Sequence, residues 1–330
     1  MKRMILIIVM IACGLMSTQE MVQARTYKIA SASWIAWSPA HVADVKGFWE
    51  DQGLDVRLVT IANPQENMNL FQRKLVDITF EMIGTAVGLY LDGLPVRILA
   101  ETDWSHGGDK IIVKQDLETT ELQGKPIGVY FDFPPVTYFL NQYLSSIGLQ
   151  FSDTRIIEME PDALADHFIN DRFGIIVCFD PEARRAEEEG NGKVVATSAT
   201  YPGSIPEGMI ILEDTLQEIP EADLIKIFNG WIKAVEWSQN PANWQEYMEI
   251  LNTQTFPNDP PYSEDVLREM LAAVRIHDTQ TMLARNQDGG GLETYLEDLK
   301  TFLAANEMLT KDFTVQDIFA NDVIVRTISQ

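Results

Sequence analysis

"SASWIAWSPAHVADVKGFWEDQGLDV", Ser31 to Val56, decides the fold. It lies between two β-branched runs, Tyr27–Ser31 and Asp55–Ile61, and Val42, Val45 and Trp49 share one helical face within it. Strand, helix, strand at this spacing predicts a parallel pair covered by a helix. Pro39 suits the first turn of that helix. Trp34 and Trp37 then fall in the loop where the first strand gives way to the helix. In open parallel sheets ligands bind beyond the carboxyl ends of the strands, where such loops converge. A lone tryptophan there is more often a core ring than a ligand contact. The surrounding pattern must decide between the two.

That pattern repeats along the chain. Asp77–Met82, Val96–Ala100, Lys110–Val113, Pro126–Tyr130, Arg155–Glu158, Gly174–Phe179 and Lys193–Ala196 read as further strands. Val136, Leu140, Tyr143, Leu144 and Ile147 make another helical stripe. After Gly208 the chain turns helical, with Leu224, Ile227, Phe228, Trp231 and Val235 on one face. The expectation is an α/β protein of two lobes, with parallel-rich mixed sheets flanked by helices and a helical C-terminal portion. Residues 25–104 with 204–330 would form lobe I, and 105–203 lobe II. The chain would cross near Asp103–Asp109, where Gly107-Gly108 permits large backbone changes, and return near Thr200–Ser204.

Composition narrows the class. The chain has 330 residues and a formal net charge of −24. Such an acidic balance repels nucleic acid and anionic membrane surfaces. Lys2 and Arg3 precede an apolar run, Met4 to Met16, too short to span a bilayer. Small residues follow at Val22-Gln23-Ala24, so residues 1–24 read as a signal peptide and the remainder as exported to the periplasm. A rival reading makes Cys13 a lipidated cysteine, but Met10 stands where leucine is usual. With cleavage after Ala24, Cys178 is the one cysteine left, and the fold must stand without a disulfide.

Aromatic and acidic residues recur at the strand exits. Glu81 and Thr85 lie in "FEMIGTA", and Asp103, Trp104 and His106 in "ETDWSHGGDK". Phe131, Asp132 and Phe133 follow the strand ending at Tyr130; Asp180 follows Phe179; Tyr201 lies in the return segment. Ser38 opens the first helix beside Trp37. These residues are the candidate ligand contacts. Glu81 with Asp103 also suggests a paired-carboxylate acid and base, but nothing fixes their separation. His41, His106, His167 and His277 are scattered without metal-ligand spacing, so neither a metal nor a cofactor is expected. Cys178, inside "GIIVCF", reads as an inert core thiol, and "EARRAEEEGNG" as a solvated helix face.

"PAHVADVKGFWEDQGLDVRLV" and "GKPIGVYFDFPPVTYFLNQYLSSIGL" resemble segments of the periplasmic solute-binding proteins of ABC importers, in their nitrate/sulfonate/taurine and thiamine-pyrimidine branch. "MIILEDTLQEIPEADLIKIFNGWIKAVEWSQNP" is similar to their return segment. The resemblance implies the type II two-lobe binding-protein fold, a monomer, and partnership with an ABC permease and ATPase. It also admits a periplasmic sensor module, or an enzyme such as the family's pyrimidine synthase or desulfinase. The cysteine-rich metal motif of that synthase is absent. Sulfonate-type members carry a small Gly/Ser-rich loop before the second-lobe helix, whose amides can hold an anion. Here Pro134 and Pro135 delete two amide donors, and Asp132 adds a negative charge. Aromatic faces beside carboxylates suit a neutral or cationic ligand instead, an amine or a flat heteroaromatic such as an aminopyrimidine. An alkanesulfonate or taurine-like anion is the alternative.

Overall fold

The structure, a computed structural model, describes residues 25–61, 64–118, 122–130 and 133–329. The expected signal peptide and Cys13 lie outside the described residues. Eleven strands are described: β1 (Thr26–Ala32), β2 (Asp55–Ile61), β3 (Ile78–Met82), β4 (Val96–Ser105), β5 (Asp109–Lys114), β6 (Pro126–Val129), β7 (Arg155–Glu158), β8 (Ile175–Phe179), β9 (Gly192–Thr197), β10 (Pro206–Leu212) and β11 (Val274–Ile276). They form a six-stranded sheet, ordered β11-β4-β10-β3-β1-β2, and a five-stranded sheet, ordered β7-β6-β8-β5-β9.

Both sheets are mixed. In the first, β1 pairs in parallel with β2 and β3, while β10 runs antiparallel to β3 and β4. In the second, β6 pairs in parallel with β7 and β8, while β5 runs antiparallel to β8 and β9. The chain leaves the first sheet after Ser105, enters the second at Asp109, leaves that at Thr197, and re-enters the first at Pro206.

The helix Ser38–Val45 follows β1 with Pro39 in its first turn and buries Ala40, Val42 and Ala43. It packs against the helix Glu221–Gln239, whose Leu224, Ile227, Phe228 and Trp231 recur at helical spacing and are all buried. Trp231 meets Phe80 of β3 at 5.0 Å between ring centroids. Each such side chain stabilises the fold by about 2 kcal/mol relative to an exposed position. On the opposite face of the sheet the helices Ile83–Leu91 and Gly291–Ala305 bury Ile83, Val87, Leu296 and Leu299. The second sheet has its own core around Ile112, Val129, Leu140 and Val177.

The two halves also touch away from the chain passages. The helix Ile83–Leu91 packs on the helix Phe133–Ser146 of the other half. A Cβ placed on Gly84 would lie 2.7 Å from Pro135 Cβ and 2.9 Å from its backbone nitrogen. Only glycine permits this approach without one helix moving. Tyr138 on the same second-half helix meets Tyr295 and Phe302 edge-on, at 5.6 and 5.8 Å.

Candidate functional site

The two passages between the sheets are bonded to each other. Ser105 Oγ and Ser198 Oγ lie 2.8 Å apart, Gly107 N–H donates to Ser198 Oγ at 2.7 Å, and Asp109 N–H donates to Ser105 Oγ at 3.3 Å. Beside this seam stand Asp103 on β4, Glu207 on β10 and Asp109 on β5, exposed by only 0%, 4% and 4%. Register brings the first two together, because Glu207 lies opposite Asp103 on one side and Met82 on the other.

Each carboxyl has a neutral donor. Thr102 Oγ1 donates to Asp103 at 2.8 Å, and the Trp34 indole N–H donates to Glu207 at 2.6 Å. The Tyr130 hydroxyl donates to Asp109 and lies 3.9 Å from Met82 Sδ, so the ring of one half reaches a side chain of the other. Tyr130 is braced edge-on by Phe179 at 5.0 Å. Asp103 and Glu207 face each other in the β4–β10 register, and among the described residues no N–H or O–H reaches Asp103 Oδ1. Burial raises the pKa of Asp103 and Asp109. Glu207 is driven well above the carboxyl range, first by burial and then by the charge of Asp103.

Glu101, two residues before Asp103, is answered differently. It accepts two bonds from Arg285, at 2.8 and 2.9 Å, and one from His277 Nε2 at 2.8 Å. Trp104 stands with that group: its ring meets His277 edge-on at 4.9 Å and Arg285 at 5.0 Å.

Of the residues singled out in the sequence, Trp34 and Asp103 come together here. Trp34 closes on the passage so tightly that a Cβ on Gly108 would lie 3.1 Å from its Cη2. Trp37 is corrected to a core ring. The 3-10 turn Ile35–Trp37 carries it inward, 5% exposed and stacked on Phe80 at 6.0 Å. Ser38 is likewise internal, donating to the Ile35 carbonyl and bonded to the Tyr247 hydroxyl, each at 2.6 Å. Glu81 is buried and accepts the Met82 amide at 2.9 Å. It pairs with Gly208 rather than Glu207, one step out of phase with Asp103. Asp103 does have a carboxyl neighbour, but it is Glu207 and not Glu81.

Thr85 is buried at the start of the helix Ile83–Leu91, and its hydroxyl has no hydrogen-bond partner among the described residues. His106 is half-buried in the first passage, and burial with the nearby Arg275 charge lowers its pKa. Asp180 is held by Lys110 Nζ at 2.8 and 2.9 Å, beside the cis Asp180–Pro181 bond. Tyr201 packs on Phe139 and reaches Ser146 at 3.1 Å, within the second half. Phe131 and Asp132 lie outside the described residues, and of Phe133 only the backbone, opening a helix, is described. Cys178 is wholly buried and its thiol is pushed up to about 12 by burial, which makes it a poor nucleophile.

Glu207, Asp109 and Tyr130 escaped the sequence reading. Asp109 follows the Gly-Gly of the first passage, and Glu207 is the sole acid in "SIPEGMIIL". An isolated acid inside an apolar run was the available signal. Together the three carboxyls and the rings of Trp34 and Tyr130 form a buried acidic and aromatic cluster whose field favours cations and hydrogen-bond donors over anions.

The NMT1-like family model matches residues 22–252 of the chain. A putative binding protein of Bacillus subtilis (strain 168), YtlA, is 24% identical over 221 residues, 62% of this chain. The match spans 64% of that relative, less than two-thirds of its length. A putative sulfonate ABC transporter, periplasmic sulfonate-binding protein SsuA from Methylobacillus flagellatus KT, superimposes with a TM-score of 0.68 at 17% identity, covering 93% of this chain and 94% of that one. The periplasmic nitrate-binding protein NrtA from Synechocystis PCC 6803 gives 0.69 at 14% identity, covering 93% and 89%. At these identities the likeness shows the periplasmic-binding-protein fold.

Proposed function

The chain belongs to the NMT1-like family, and we propose that it is the extracytoplasmic ligand-binding component of an ABC-type import system, exported to the periplasm and presented there to a permease and its ATPase. Residues 25–104 with 204–330 form one lobe, and 105–203 the other. The lobes close over a small neutral or cationic molecule, an amine or a heteroaromatic ring.

The observation that carries this reading is the buried group of Asp103, Glu207 and Asp109 between Trp34 and Tyr130, at the seam where the halves meet. The sulfonate- and nitrate-binding relatives would suggest an anion. Buried carboxyls without a balancing base oppose one, since like charges in a low-dielectric site repel strongly. Aromatic and charge-assisted contacts to an amine contribute roughly 0.5–3 kcal/mol each, enough in combination for micromolar binding.

Thermal-shift screening of amines, neutral heteroaromatics and alkanesulfonates tests it. At one hundred times Kd, stabilisation of about 2.7 kcal/mol is expected for a member of the first two classes. Stabilisation by sulfonates alone would reject the ligand assignment.

A further inference from the structure

We propose that the Asp103–Glu207 pair exchanges a proton for the charged nitrogen of the ligand, so the ligand is an organic base that is protonated at neutral pH: an amine, amidine or guanidine. This rests on the binding-component reading and narrows it.

The two carboxyls face each other from β4, by which the chain leaves the first sheet, and β10, by which it returns. Both are almost wholly buried. Their donors, Thr102 Oγ1 and Trp34 Nε1, are neutral, and Asp103 Oδ1 has none. Every charged group packed around them is either acidic or engaged. Asp109 approaches from β5 and carries the same sign. Glu101 lies on β4 with its charge answered by Arg285, and His277, after β11, is bonded to Glu101. Neither Asp103 nor Glu207 forms an ion pair with any described Lys or Arg.

Two bare carboxylates cannot remain in contact in such a place, because desolvation and mutual repulsion both oppose it. One proton shared between them satisfies the pair when no ligand is present, and leaves the pair with a single negative charge. A ligand R–NH3+ replaces it: the cation enters, the shared proton leaves to solvent, and the site keeps the same net charge. The ammonium brings N–H donors that the unpartnered Asp103 oxygen lacks. A neutral ring compound leaves the proton where it is. An anion adds to the charge already present. The preference is therefore set by what each ligand does to one proton.

Infrared spectroscopy of the unliganded protein at pH 7 tests the first half of this claim. A protonated-carboxyl C=O band is expected, and it should lose the intensity of one carboxyl in Glu207→Gln, whose amide can still donate to Asp103 and so preserves the fold. Absence of that band from the native protein, or its undiminished intensity in the variant, overturns the inference whatever the ligand. The second half is read by calorimetry and by proton release in weakly buffered solution. Methylammonium, benzylammonium and guanidinium serve as probes, with benzyl alcohol, 4-aminopyrimidine and benzenesulfonate as comparators.

A basic probe should bind with release of about one proton and tighten by up to about tenfold per pH unit between pH 6 and 8. Glu207→Gln should abolish the release. Binding of a basic probe without proton release overturns the inference. So does binding of the neutral comparators when no base binds, an outcome that leaves the broader reading intact, whereas binding of benzenesulfonate alone overturns both. If no compound of any class binds or stabilises the protein, the broader reading falls as well.

Discussion

Trp34 and Trp37 lie three residues apart and meet opposite fates, which local periodicity does not foretell. The 3-10 turn between them buries Trp37 against Phe80 and leaves Trp34 to donate to Glu207 across the sheet. Trp34 was legible because of its place after a strand. Glu207 was not, because one acid in "SIPEGMIIL" has the surroundings of a core strand and its partner, Asp103, is distant in sequence. Trp34→Phe removes the indole donor and leaves the buried Glu207 oxygen unanswered, so ligand affinity should fall by about 1–3 kcal/mol in a calorimetric titration. His41 provides a second residue-scale test. It is buried between Thr60 and Thr255, and burial lowers its pKa from 6.5 to about 4. The unfolded chain takes up this proton near pH 6.5 and the folded chain only near 4. The stability His41 contributes is therefore complete above 6.5 and lost as pH falls towards 4, by about 3 kcal/mol. Urea unfolding at pH 7.5 and 4.5 should show that loss, and a smaller one in His41→Asn.

Among the elements, nine strands were readable as β-branched runs between turn signals, whereas β10 and β11 were not. β10 is buried along its whole length and so shows no alternation, and β11 spans three residues at a sheet edge. The antiparallel insertion of β10 between β3 and β4 is what sets Glu207 beside Asp103, so a missed strand and a missed residue of the cluster have one cause. Between helices, the Gly84–Pro135 approach joins the two halves. Alanine at Gly84 favours the helix by about 1 kcal/mol but requires Pro135 to withdraw by a few tenths of an ångström or more. Gly84→Ala should therefore lower the melting temperature, because parting the two helices costs about 1–3 kcal/mol against the smaller helix gain. An unchanged or raised melting temperature would mean that the two helices part freely at this contact.

For the whole molecule, alternation of strands and helices was enough to anticipate two groups of strands, and the resemblance to solute-binding proteins supplied their connection. The carboxyl and aromatic cluster required tertiary structure, because its parts come from three strands and two loops. The seam between the halves depends on Ser198, which accepts from Gly107 N–H and shares a bond with Ser105. Ser198→Ala leaves these buried groups without a partner and should cost about 1–3 kcal/mol, with faster amide hydrogen exchange across residues 105–110. The most direct test of the central claim is a calorimetric competition at pH 7.5 between organic bases or neutral heteroaromatics and alkanesulfonates or nitrate. Saturable one-to-one binding of a base or ring compound, accompanied by a change in Trp34 emission that Trp34→Phe abolishes, is the expected result. One-to-one binding of a sulfonate or nitrate, undisturbed by the others, would contradict it.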